Sequence, residues 1–119
     1  MKVLKGIKDL DNNITHVILH DEVNYATYPE LKKLFSKLIS ENKRNLVVDL
    51  CEVTYLDSSG LGAIASAHIK VSSVDGVLKI ISQKSDIKKI LDITGLSKVI
   101  EVLPNLDEAI QSIKTTDIR

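Results

Sequence analysis

Two hydrophobic periods alternate along this chain: short β-rich apolar runs, and longer stretches in which apolar residues return every three or four positions. That alternation predicts an α/β fold. Residues Ile14 to His20 form the first clear β run. They follow Asp11-Asn12-Asn13, a strong turn, which predicts a hairpin with Val3 to Asp9. Leu31, Leu34, Phe35, Leu38 and Ile39 then repeat at helical spacing, and Thr27-Tyr28-Pro29-Glu30 reads as a capping box at the start of that helix. Asn45 to Leu50 is a short apolar run with polar flanks, the pattern of a buried parallel strand.

A second helix follows Asp57-Ser58-Ser59, with Leu61, Ile64, Ala65, His68 and Ile69 predicted on its inner face and Gly76 as its stop. Val77 to Ser82 reads as a strand. Ser85 is expected to cap a third helix that buries Ile87, Ile90 and Leu91 and ends at Gly95. Val99 to Leu103 is the last predicted strand. Asn105-Leu106-Asp107-Glu108 caps a closing helix with Ala109, Ile110 and Ile113 inside, and Thr115 to Arg119 is expected to fray. The predicted order is β-β-α-β-α-β-α-β-α, which gives a mixed, mostly parallel sheet with an antiparallel N-terminal strand and about four covering helices.

At 119 residues, without repeat or linker, the chain is expected to form one domain over 1–119 with its core at about 3–114. Sixteen basic and sixteen acidic residues cancel. No global field therefore favours nucleic acid or an anionic membrane, and no apolar run approaches the roughly 20 residues that span a bilayer. A cytoplasmic location is expected; the single cysteine, Cys51, fits a reducing compartment. Aromatic residues make up only 3% of the chain, so the core must be aliphatic and base-stacking platforms are missing.

The sequence offers little catalytic chemistry. Leu56-Asp57-Ser58-Ser59-Gly60 lacks the leading glycine of a nucleophile elbow, and His16, His20 and His68 read as structural or solvent-facing residues. There is no C-x-x-C or H-x-x-x-H spacing and no Gly-Lys-Ser/Thr phosphate loop, so neither a metal nor a nucleotide cofactor is expected. What remains is a pair of hydroxyls at a strand-to-helix junction. A serine there can cap the helix or carry a phosphate, because a helix N-terminus presents unpaired N–H groups and partial positive charge.

The strand Leu46 to Leu50, the junction Tyr55-Leu56-Asp57-Ser58-Ser59-Gly60-Leu61-Gly62, the entry Gly76-Val77-Leu78 and the run Ile87-x-x-Ile90-Leu91-x-x-Thr94-Gly95-Leu96 occur in one order and spacing. Together, over residues 14 to 113, they resemble the STAS domain family, and within it the bacterial anti-sigma factor antagonists. The resemblance implies a binding protein and not an enzyme. Ser58 would be phosphorylated by a GHKL-type serine kinase that is also the anti-sigma factor, and a PP2C-type phosphatase would reset it. Asn24, Asp57, Ser59, Gly60 and Leu61 would frame the docking surface, with Ser66 and Lys70 extending it, on a monomer or weak homodimer. Where the family often carries G-E-L-D, this chain has Asp21-Glu22-Val23-Asn24; Asn24 could cap the first helix, brace the loop or touch a partner. The alternative is a scaffold or ligand-carrier module of a stress-signalling or lipid-transport complex, in which Ser58 serves only as a helix cap.

Overall fold

The computed structural model describes residues 2–117, and side chains through Thr115. Strands β1 (Leu4–Leu10), β2 (Ile14–Val23), β3 (Asn45–Leu56), β4 (Val77–Ile81) and β5 (Val102–Leu103) form one sheet in sequential order. β1 runs antiparallel to β2, and every other pair is parallel. Helices α1 (Tyr28–Ser40), α2 (Ser58–Ser72), α3 (Ser85–Ile93) and α4 (Leu106–Asp117) make the connections and the closing layer. The mixed sheet and its four helices are those expected from the alternating periods.

Strand alternation divides the core in two. Leu46, Val48 and Leu50 of β3 pack with Leu31, Leu34, Phe35 and Leu38 of α1, with α2, and with Ile87 and Leu91 of α3. Val47, facing the other way, joins Ile14, Ile81, Ala109 and Ile113 under α4. Successive right-handed crossovers put α1, α2 and α3 on one face. The starts of all three helices therefore lie at the C-terminal edge of the parallel strands, where α/β sheets carry their sites.

Several local expectations are corrected. Thr27 and Glu30 do not form a capping box, because each side chain is engaged elsewhere. Thr27 Oγ1 accepts the Asn24 N–H at 2.9 Å. The Glu30 carboxylate accepts the N–H groups of Lys2 (3.0 Å) and Val3 (2.7 Å) and so ties the N-terminal segment to α1. Ser85 does not cap α3; Lys84 holds the cap position, and its ammonium donates to the Val53 carbonyl at 3.1 Å. The predicted cap at α4 does form, with Asn105 Oδ1 accepting the Glu108 N–H at 2.9 Å and Asn105 Nδ2 donating to the Glu108 carboxylate at 3.1 Å.

β3 extends six residues past the predicted end at Leu50, since β2 also continues and pairs Val23 with Leu56. The fifth strand shrinks to Val102–Leu103, because Leu96–Lys98 turns as a short 3-10 segment after Gly95 (φ 83°). α4 runs on to Asp117, so Thr115 to Asp117 are helical; Ile118 and Arg119 lie outside the described residues.

α2 ends at Ser72, ahead of Gly76. The left-handed residue is Asp75 (φ 62°), and the Gly76 N–H closes the turn on the Val71 carbonyl at 2.7 Å. Gly76 is instead required by contact: a Cβ there would stand 2.2 Å from the Arg44 carbonyl oxygen. The face of α2 is also rotated from the prediction. Gly60, Leu61, Ala63, Ile64, Ala67 and Val71 are buried, Ala65 and His68 are half-buried, and Ile69 is exposed.

Two outcomes are expected from this architecture. Gly76→Ala should lower unfolding free energy by about 1–3 kcal/mol through overpacking against backbone, measured by urea denaturation; an unchanged midpoint would contradict the close approach. At Glu30, burial pushes the carboxyl pKa up, but the N–H groups of Val3 and Lys2 outweigh it and hold the pKa below the ordinary 4.5. A lowered carboxyl pKa stabilises the fold above the unfolded value, and that contribution is lost as pH falls through the folded value. The Val3 amide proton resonance should therefore shift as pH drops below about 4.5, and lose that titration in Glu30→Gln.

Candidate functional site

Asp57 ends the extended chain of β3 (φ −109°, ψ −177°) and is the N-cap of α2. One carboxylate oxygen accepts the Gly60 N–H at 3.0 Å; the other accepts the Tyr25 N–H at 3.1 Å. The Asp57 carbonyl takes the Leu61 N–H at 3.0 Å, and its own N–H donates to the Val23 carbonyl at 3.2 Å. One residue thus closes the helix start and fastens it to the loop after β2. Capping by Ser58, one of the two options open in the sequence, is not used.

Ser58 is the first residue of α2 and is exposed. Among the described residues its hydroxyl makes no hydrogen bond, and the N–H groups of Ser58 and Ser59 donate to no protein acceptor. Ser59 is half-buried. Gly60 is buried where α2 meets the end of β2, and a Cβ there would lie 2.5 Å from the Val23 carbonyl oxygen. Leu61, 8% exposed, belongs to the core beneath the turn.

Of the three roles open to Asn24, bracing the loop is the one its hydrogen bonds show. Its Oδ1 accepts the N–H groups of Ala26 (3.0 Å) and Thr27 (3.1 Å), and its own N–H donates to Thr27 Oγ1. Asn and Asp make such local turns because their short side chains reach the backbone two or three residues on. Asp21, in the position where the resembling family often has glycine, takes φ 59° at an irregularity between β2 and β3. Its carboxylate is exposed and 3.5 Å from His20 Nδ1. An open cleft of about 410 Å³ lies between His20, Asp21, Glu22, Asn24 and Thr27.

The remaining reactive groups lie elsewhere. His16 is buried with Nε2 2.8 Å from Asp49. His68 is half-buried, ten residues along α2 from Ser58, or about 15 Å by helical rise. Burial and the Asp49 carboxylate push the Cys51 thiol up to about 11, which keeps it protonated and poorly nucleophilic. Among the described residues no group of three or more His, Cys, Asp or Glu could hold a metal ion. No helix among them is long and apolar enough to cross a membrane.

Sequence reasoning passed over Tyr25, which is 76% exposed and whose backbone N–H bonds the Asp57 carboxylate, and placed Ile69 inside although it is 67% exposed. Tyr25 had a signal: it is an aromatic residue outside any apolar period. The orientation of Ile69 had none, since Ala63, Ala65 and Ala67 allow several rotations of the helix.

Comparison with known proteins agrees with the geometry. The anti-sigma-B factor antagonist of Listeria monocytogenes is 28% identical over 102 residues, covering 86% of this chain and 90% of the relative. That of Staphylococcus aureus is 30% identical over 81 residues, covering 68% of this chain and 75% of the relative. The crystal structure of an anti-sigma factor antagonist from Mycobacterium paratuberculosis superposes with a TM-score of 0.84 at 24% identity, covering 92% of each chain. The family model for the STAS domain matches residues 7–109, and with this sheet order and this helix junction the chain belongs to the STAS domain family.

Proposed function

We propose that this chain is an anti-sigma factor antagonist, a binding protein switched by phosphorylation of Ser58. The observation that carries the reading is the placement of that hydroxyl, exposed and without an internal partner among the described residues, on a helix start already capped by Asp57. The names borne by the relatives supply the partner class, an anti-sigma factor. We read it as a GHKL-type serine kinase that binds the unphosphorylated form and thereby gives up its sigma factor. In this reading the chain is substrate and ligand rather than enzyme, and it works in the cytoplasm.

Phosphorylation would transfer the γ-phosphoryl group of ATP to Ser58 Oγ, releasing ADP and the hydroxyl proton. A PP2C-type phosphatase would reverse the state by hydrolysing the ester to serine and inorganic phosphate. The phosphate adds about −1.5 to −2 charges at neutral pH. At the N-terminus of α2 this charge is favourable to the fold, by roughly 0.3–1 kcal/mol at an exposed site. Against a partner surface shaped for a neutral hydroxyl it is unfavourable, and a loss of about 3 kcal/mol lowers affinity roughly a hundredfold. Ser58, Ser59 and Asn24 form the outward part of the docking surface. Asp57 holds its two segments together, and Gly60 and Leu61 set its shape from beneath.

Intact-mass measurement on protein recovered from its own cells tests the switch. The expected result is a fraction carrying one phosphate that disappears in Ser58→Ala, together with near-identical far-UV circular dichroism for the two forms. Protein that stays unmodified across growth and stress conditions would remove the basis of the proposal.

A further inference from the structure

We infer that Lys84 is a positioning residue for the phosphorylation of Ser58: its ammonium clamps the overhanging end of β3, which leads directly into the Asp57-Ser58 corner. The inference rests on the reading of Ser58 as a kinase substrate and adds to it a residue that lies outside the corner.

Lysine is a poor choice for the place it occupies. Lys84 is the N-cap of α3, and its side chain makes no capping hydrogen bond. That position favours Ser, Thr, Asp or Asn, whose oxygens accept free N–H groups of the first turn, and a positive charge there opposes the helix dipole. A residue that breaks the local rule is expected to serve elsewhere.

The sheet shows where. β4 ends at Ile81, opposite Asp49, whereas β3 runs on from Leu50 to Leu56 without a strand on that side. On its other side this overhang pairs with β2, but the register slips between Asp21 and Glu22, directly after the pair Asp21–Val53. Val53 thus stands where the ladder is irregular on one side and absent on the other. The Lys84 ammonium donates to the Val53 carbonyl at 3.1 Å, in a half-buried contact that takes the place of the missing strand. A hydrogen bond from a charged donor is roughly twice as strong as a neutral one. Its reach is also preorganised, because the neighbouring Gln83 donates Nε2 to the Pro104 carbonyl at 2.8 Å and so fixes the β4–α3 loop.

From Val53 the chain passes through Tyr55 and Leu56 into Asp57, whose carboxylate holds the N–H groups of Gly60 and Tyr25. A shift of the overhang moves Asp57, and Ser58 with it. A kinase binds only the fraction of molecules in which the corner is assembled, so apparent affinity falls in proportion to that fraction. Loss of the clamp therefore raises KM and leaves kcat, since the corner that does bind is unaltered.

The test uses the full-length protein and its cognate kinase. Lys84→Ser removes the clamp and supplies the missing cap, so its melting temperature should stay close to that of the wild type. Its KM for phosphorylation should nevertheless rise roughly tenfold, with kcat within about twofold. Without kinase, the Tyr25 and Gly60 amide protons of this variant should exchange with solvent about tenfold faster. Lys84→Arg, which can still donate to the carbonyl, should restore both, and Lys88→Ser, on the exposed face of the same helix, should change neither. Wild-type KM and exchange in Lys84→Ser would overturn the positioning role and leave Ser58 as the switch. A raised KM with unchanged exchange would make Lys84 a partner contact and overturn it as well. Wild-type protein that the kinase leaves unphosphorylated would overturn the switch itself, while the exchange rates still decide the clamp.

Discussion

Both oxygens of the Asp57 carboxylate are committed to backbone N–H groups, one on α2 and one on the loop after β2. Charge-assisted hydrogen bonds of this kind are stronger than neutral ones, and here they join segments that are distant in sequence. The candidate site depends on that pair of bonds. The pairing of Val23 with Leu56 and the Asp57 N–H on the Val23 carbonyl bring the two segments together, and the carboxylate extends that join to the exposed residues Ser58 and Tyr25. Together these contacts form one corner at the edge of the sheet.

The corner is also close-packed. The Val23 carbonyl accepts the Asp57 N–H and at the same time approaches Gly60 too closely to leave room for a side chain. Strand β2 has to run on to Val23 to bring that carbonyl there, and it does so through two irregularities in its pairing with β3, with Asp21 in the left-handed conformation. An aspartate tolerates this conformation better than most residues but less well than glycine. The slip in register, the strained residue and the small residue at the helix start belong to one arrangement, in which strand length sets the position of the helix.

The elements were legible in the sequence because their patterns are local. The apolar run Leu46 to Leu50, the stripe Leu31 to Leu38 and the Asn105–Glu108 cap each carry their meaning within a few residues, and the structure uses each of them. The misread features depend on distant partners. Thr27 and Glu30 have the spacing of a capping box, yet Glu30 bonds Lys2 and Val3, 28 and 27 residues away, and Thr27 is taken by Asn24. Gly76 reads as a helix stop, but what requires it is the backbone of Arg44. In the site, the Asp57-Ser58 junction could be recognised from its residues. The link to Tyr25 could not, since no local pattern pairs residues 32 positions apart.

The same geometry bears on how a phosphate could act. Gly60 and Leu61 already donate their N–H groups to Asp57, one to its side chain and one to its carbonyl, so the cap is complete before any modification. The N–H groups of Ser58 and Ser59 remain available, and a phosphate on Ser58 would meet them at the positive end of the α2 dipole. Stabilisation there opposes refolding of the corner. The neighbouring Asp57 carboxylate is a like charge, and its two hydrogen bonds to backbone N–H groups hold it in place beside the serine. A phosphorylated corner should therefore keep its shape and alter its electrostatics, so that an effect on a partner comes from charge added at the helix start.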